Sequence, residues 1–151
     1  MLLWVKCRTS NVIYRCTCLE TEKKYTGNTS RHGKTRCGEH CDDVRAQCRG
    51  QKSDSFSEHF YRIWKKVNGN DVPSRKDIRK LFRYETLWIG NNVLLNKGYG
   101  TSRCGLCARE RMELLKLSDC LRDTSKLINY KSEIFFSCRH KPKILNFIKV
   151  V

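Results

Sequence analysis

Two short segments near the start of the chain are rich in β-branched and aromatic residues. The first covers residues 11–16, and the second covers residues 23–27 and ends at Gly27. A polar connection over residues 19–22 separates them. This pattern predicts two β-strands joined as a hairpin.

A helical pattern follows the hairpin. Cys37, Cys41, Val44 and Cys48 recur at intervals of three and four residues, which predicts a helix over residues 33–48 with its thiols facing the core. Arg36 and His40 lie one turn apart on the adjacent face and could reach the same site.

The segment after this helix, up to residue 102, completes a small α/β domain. Residues 62–67 favour a third strand, and Ser74 with Asp77 resembles a capping box that begins a helix over residues 74–91. The predicted architecture is a three-stranded antiparallel sheet flanked by helices, over residues 7–102. A short helical extension that contains Cys and His follows over residues 103–145.

Glu85 falls within the apolar stripe of the predicted helix over residues 74–91. It comes four residues after Leu81 and seven after Ile78, so it lies on the face that should be buried. A buried carboxylate is costly unless it has a counter-ion or a metal. Two interpretations stay open: an ion pair with an arginine, or a metal-binding carboxylate of an active site.

The charge of the chain favours a polyanionic partner. Lys and Arg number 31 against 15 acidic residues among 151, for a formal net charge of +16. The chain has no apolar run of membrane-spanning length, and residues 1–5 are too short an apolar stretch for a signal peptide. We therefore expect a nucleic-acid partner, bound mainly through phosphates, no membrane, and an intracellular, reducing location.

Ten cysteines in such a compartment suggest metal ligands or reduced core thiols rather than disulfides. Cys104 and Cys107 have the spacing of a zinc knuckle, and Cys138 with His140 could complete a Cys₃His zinc site. The alternative is that these thiols pack against the core. A zinc site at the N-terminus is less favoured: proteins with similar motifs, named below, often carry a Cys-x-x-Cys here, and Thr21 stands in place of the second cysteine after Cys18. Its further candidate ligands are Cys16, His40 and His59.

Several short motifs, taken in order, resemble the GIY-YIG endonuclease superfamily and in particular the endonuclease domain of Penelope-like retroelements. The motifs are Val12-Ile13-Tyr14, Tyr25-Thr26-Gly27, Arg36 with His40, Glu58-His59-Phe60, Glu85 with Trp88-Ile89, Cys104-x-x-Cys107, Lys131-Ser132-Glu133 and Cys138-Arg139-His140. They extend over nearly the whole chain, and their order and spacing carry the resemblance.

The resemblance implies a nuclear, metal-dependent DNA endonuclease that nicks strands by phosphodiester hydrolysis. It assigns Mg²⁺ or Mn²⁺ to Glu85, the scissile phosphate to Arg36 and the general base to Tyr14. Tyr25 completes the site, and His40 supports it or shares the proton transfer. It also implies a reverse transcriptase domain in the full-length relative.

Some positions depart from the family pattern. Val12 and Thr26 replace a glycine and an isoleucine, and Asn28 replaces an acidic residue. Ser102 aligns with the family's final asparagine; Asn91, Asn92 and Asn96 are nearby candidates for the same role. The alternative is thus a catalytically degenerate, nucleic-acid-binding remnant of the same fold. A zinc-stabilised protein-interaction domain is a third reading, disfavoured by the net charge.

Overall fold

Three antiparallel strands and four helices make up the computed structural model, which describes residues 10–51, 53–90, 98–101, 103–135, 138 and 140. The strands are β1 (Val12–Cys18), β2 (Lys24–Thr29) and β3 (Phe82–Ile89); the helices are α1 (Gly33–Cys48), α2 (Ser55–Asn68), α3 (Arg75–Arg79) and α4 (Gly105–Leu117), followed by a 3₁₀ helix (Lys131–Phe135). The predicted fold class, a three-stranded antiparallel sheet flanked by helices with a C-terminal Cys/His region, is confirmed.

The strand order is β2-β1-β3, so β1 is central and β2 is an edge strand. The predicted hairpin is β1 and β2, with Tyr14 opposite Gly27 and Cys16 opposite Tyr25. Directly opposed residues share one face of a sheet, because side chains alternate along each strand. Tyr14 and Tyr25 therefore lie on the same face.

The prediction of a strand over residues 62–67 is wrong, because this segment belongs to α2. Phe56, Phe60 and Ile63 recur at helical spacing and are buried. Asp54 caps the helix by accepting a hydrogen bond from the backbone N–H of Ser57 at 2.8 Å. This periodicity and cap outweigh the strand propensity of a few central residues.

The predicted helix over residues 74–91 is also wrong over most of its length. Ser74 and Asp77 do form the expected capping box, but α3 ends at Arg79. The chain then extends as β3, which pairs with β1 from Phe82 to Ile89. This long-range pairing decides the conformation, since a stretch of aromatic and β-branched residues satisfies either element locally.

The sheet separates two apolar layers. On one face, Val12, Tyr14, Cys16 and Cys18 pack with buried residues of α1 and α2. On the other face, Ile13 packs with Leu106 and Cys107 of α4. The predicted inward stripe of α1 is confirmed for Cys37, Cys41 and Val44, which are buried.

The chain after α4 returns to the free edge of β2. The Lys24 N–H donates to the Lys126 carbonyl, and the Ile128 N–H donates to the Lys24 carbonyl, both at 2.8 Å. Asn129 continues this pairing with its side chain, which accepts from the Thr26 N–H and donates to the Thr26 carbonyl, both at 2.9 Å. No helix within the described residues is long and apolar enough to cross a bilayer.

Candidate active site and metal cluster

A pocket extends along the edge strand β2 and collects polar side chains from five parts of the fold. Its lining includes Tyr14 of β1, Tyr25 of β2, Arg36 and His40 of α1, Glu110 of α4, and Asn129 and Glu133 beyond α4. Four of the five residues predicted for the catalytic site therefore meet in one place. The fifth, Glu85, is elsewhere.

Tyr14 and His40 form the buried end of the pocket. The Tyr14 Oη and His40 Nε2 atoms lie 2.6 Å apart in a hydrogen bond, and the side chains are 1% and 2% exposed. His40 stacks on Phe56 with ring centroids 4.3 Å apart, which fixes the imidazole plane. Burial raises the pKa of the Tyr14 phenol well above its usual range, so it is neutral at physiological pH.

Tyr25 lies beside this pair, with its ring centroid 6.4 Å from that of Tyr14 and 5.1 Å from that of His40. Burial also raises the pKa of Tyr25 far above its usual range. Gly27 is required by this packing, because a Cβ at that position would lie 2.5 Å from Tyr14 Oη. The glycine of the second motif therefore has a steric explanation.

Arg36 brings positive charge to the pocket from the first turn of α1. Its guanidinium is 3.0 Å from Glu39 Oε2, and Arg31 contacts the other oxygen of Glu39 at 2.6 Å. Two arginines thus share one carboxylate at the entrance. Arg31, Arg36 and Glu39 together keep a net positive charge, which suits an anionic ligand.

Glu85 does not line this pocket, and its role as the metal-binding carboxylate stays a prediction. It lies on β3 opposite Arg15 of β1, across the sheet from the β2 edge. Its neighbour Tyr84 stacks on Tyr14 at 5.6 Å, so Glu85 points to the opposite face by alternation. The buried helical stripe predicted around Glu85 does not exist, because residues 82–89 form β3.

Glu110 is the carboxylate that lines the pocket, and the sequence reasoning missed it. The side chain is 6% exposed, and Asn28 Nδ2 donates a hydrogen bond to its Oε2 atom. Burial raises the pKa of Glu110 to about 8, partly offset by the hydrogen bond from Asn28. Its position three residues after Cys107 was the available signal, because it places Glu110 on the buried face of α4.

Glu113, one turn further along α4, provides a useful comparison. It is also buried, but it lies 3.2 Å from Arg109, 3.7 Å from Lys116 and 3.8 Å from Arg15. Glu113 is therefore a structural carboxylate with its own counter-ions. Glu110, whose hydrogen-bond partner is a neutral amide, is the better candidate for a ligand of an added cation.

Asn129 is, with Asn28, one of the asparagines that line the pocket. Its amide holds the backbone of Thr26, between Tyr25 and Gly27 on β2. Ser102, Asn91, Asn92 and Asn96 lie outside the described residues. The sequence did not indicate Asn129, because this residue is distant from β2 along the chain and pairs with the Thr26 backbone only in the folded protein.

Cys104, Cys107, Cys138 and His140 form a cluster that could bind a metal such as zinc. Their ligand atoms all lie within 4.8 Å of one another. The His140 Nδ1 atom is 3.5, 3.5 and 3.4 Å from the three sulfurs. Zinc bonds of ~2.3 Å to sulfur and ~2.0 Å to nitrogen at tetrahedral angles give a separation of about 3.5 Å.

The separations of His140 Nδ1 from the three sulfurs in the predicted Cys₃His set thus match those of a tetrahedral zinc site. The alternative of thiols that only pack against the core accounts for their burial but not for the convergence on His140. Among the described residues, this is the group of three or more Cys, His or acidic side chains whose ligand atoms are close enough together to share an ion. Cys16 and Cys18 are core residues instead, and His59 Nε2 lies 3.2 Å from Thr21 Oγ1.

Comparisons with protein-family models, curated proteins and solved structures yield no match to this chain. The geometry of the pocket and the cluster thus carries the functional argument.

Proposed function

We propose that this protein is a metal-dependent DNA endonuclease of the GIY-YIG kind, which nicks strands by hydrolysing phosphodiester bonds. One observation carries the proposal: a buried phenol–imidazole pair, an arginine and a buried carboxylate meet in a single pocket. The net charge of +16 supports a polyanionic substrate. A retroelement origin and a nuclear location belong to the same proposal and rest on the sequence resemblance alone.

The divalent ion, Mg²⁺ or Mn²⁺, would bind at Glu110. Carboxylate oxygens are the ligands that these hard cations prefer, and Glu110 brings one carboxylate to the pocket, with Asn28 Nδ2 donating to its Oε2 atom. When bound, the ion supplies a positive charge that polarises the phosphate and stabilises the leaving oxygen. Burial of Glu110 next to neutral groups makes the carboxylate gain more from a cation than an exposed carboxylate would.

Arg36 would bind the scissile phosphate at the entrance. Its guanidinium can exchange the bond to Glu39 for a bond to phosphate, because the neighbouring Arg31 keeps Glu39 neutralised. As the pentacovalent phosphate forms, Arg36 stabilises the added negative charge.

Tyr14 and His40 would handle the proton of the attacking water. The neutral Tyr14 hydroxyl can accept a hydrogen bond from water while it donates its own proton toward His40 Nε2, 2.6 Å away. A relay of this kind avoids a free phenolate, which burial makes costly. Tyr25 packs against both rings and keeps bulk water from the pair.

A catalytically degenerate nucleic-acid-binding module is the alternative. The pairing of Arg36 with Glu39 favours it, because a competing carboxylate weakens phosphate binding at that guanidinium. Such a module would retain the basic surface and bind DNA without cutting it.

The test is nicking of supercoiled plasmid with Mg²⁺ or Mn²⁺, comparing the wild type with Glu110→Gln, Arg36→Ala and the control Glu85→Gln. We expect metal-dependent nicking that Glu110→Gln and Arg36→Ala abolish and Glu85→Gln retains. Loss in Glu85→Gln with retention in Glu110→Gln would refute the assignment of the carboxylate. A wild type that binds DNA in a filter assay but leaves it intact would favour the degenerate module.

A further inference from the structure

The metal cluster and the catalytic pocket share helix α4. Cys104 is the N-cap residue of α4, and Cys107 lies in its first turn. A tetrahedral ion held by both sulfurs, with Cys138 and His140 as the other ligands, fixes two points at one end of the helix. Two fixed points determine the rotation of a helix about its axis. The direction in which each later side chain of α4 points follows from that rotation.

Glu110 is the side chain that this rotation positions for the pocket. It comes three residues after Cys107, so the two lie on the same face one turn apart. Both are buried, at 3% and 6% exposure, against the sheet. A small rotation of α4 would move the Glu110 carboxylate away from Asn28 at the edge of β2.

Asn28 contacts both groups with one amide nitrogen. Its Nδ2 atom donates to Glu110 Oε2 and lies 3.9 Å from Cys107 Sγ. An amide carries two N–H donors, so it can serve a carboxylate and a metal-bound thiolate together. An ionised acidic residue at this position would have no N–H donor for either group. The departure from the family pattern thus matches its surroundings.

We propose that Asn28 is a positioning residue that links the Cys/His cluster to Glu110, so that zinc in the cluster sets the affinity of the pocket for a second, divalent cation. This inference rests on the proposed function, because it takes Glu110 as the ligand of that cation. It predicts a two-metal dependence in which the structural ion acts on the catalytic one through the rotation of α4 that keeps Glu110 at Asn28.

Binding of Mn²⁺, measured by electron paramagnetic resonance, tests the proposed coupling without a DNA cleavage assay. The variants are Asn28→Ala and, as a matched control, Asn70→Ala in the exposed turn after α2. Loss of the signal of protein-bound Mn²⁺ in Glu110→Gln would assign that signal to the pocket. We expect Asn28→Ala to weaken Mn²⁺ binding about tenfold with unchanged zinc content, since loss of an outer-shell partner typically costs 10–100-fold. Asn70→Ala should match the wild type.

A double-mutant cycle decides whether the cluster acts through Asn28. We expect removal of zinc by a chelator to weaken Mn²⁺ binding in the wild type and to add little in Asn28→Ala. The variant Cys138→Ser, which removes a ligand outside α4, should reproduce zinc removal while circular dichroism shows the helices intact. Additive losses of Mn²⁺ affinity, or an Mn²⁺ affinity that is unchanged in Asn28→Ala, would overturn the inference.

The two proposals fail differently. Wild-type protein that binds Mn²⁺ with the expected dependence on Asn28 and zinc, but never nicks DNA, would refute the nuclease and leave the coupling intact. Nicking that is indifferent to Asn28 and to zinc content would refute the coupling and leave the nuclease intact.

Discussion

Replacing Glu110 by Gln should stabilise the fold at neutral pH when no divalent cation is bound. The carboxylate is 6% exposed, and burial raises its pKa from 4.5 to about 8. Gln has nearly the same shape and can still accept the hydrogen bond from Asn28. The substitution therefore removes the free-energy cost of holding a proton that the unfolded chain releases, and it keeps the contact.

The size of the effect depends on pH. The folded protein keeps the Glu110 proton up to about pH 8, whereas the unfolded chain releases it near pH 4.5, so stability falls as pH rises through this interval. Each pKa unit corresponds to about 1.4 kcal/mol, which gives a loss of roughly 3 kcal/mol by pH 7. The loss should level off above pH 8. The Gln variant has no such group and escapes this part of the pH dependence.

Urea denaturation of zinc-loaded protein between pH 5 and 8, without Mg²⁺, measures the difference. Wild type and Glu110→Gln should agree within about 1 kcal/mol at pH 5 and diverge steadily toward pH 8, with the variant more stable. Other titrating groups, including the zinc ligands, cancel in this difference. Parallel pH profiles for wild type and Glu110→Gln would refute the reasoning, because Glu110 would then ionise as easily in the fold as in the unfolded chain.

Three further predictions follow from the same geometry. Gly27→Ala should cost about 1–3 kcal/mol in urea unfolding, because the new methyl group would collide with Tyr14 Oη, whereas Gly38→Ala, whose neighbour is a flexible arginine tip, should cost much less. Cys104→Ser should lower the zinc content measured by mass spectrometry and reduce the melting temperature by several degrees; an unchanged zinc content would exclude Cys104 as a ligand. Tyr14→Phe should slow nicking by about 10²-fold or more with unchanged DNA binding, and a smaller effect would remove the phenol from the proton transfer to His40.

The parts of this fold that the sequence predicted are those in which chemistry or periodicity is local. The stripe of Cys37, Cys41 and Val44 predicts α1 directly, and the capping box at Ser74 predicts the start of α3. The Cys₃His set was also predictable, even though Cys104 and His140 are far apart in sequence. Thiol and imidazole ligands are rare enough that their identity and pairwise spacing indicate a shared ion.

Glu85 and Glu110 show why the carboxylate was harder to predict. Residues 82–89 carry apolar side chains that suit a helix or a strand, and pairing with β1 decides between them. Whether residues 82–89 form a helix or a strand determines the face from which the Glu85 side chain projects. On α4, Glu110 and Glu113 look equivalent in sequence, and only the tertiary arrangement distinguishes them: Glu113 is surrounded by cations, and Glu110 meets the amide of Asn28. A carboxylate is common in any chain, so its role depends on its partners, and its partners come from distant residues.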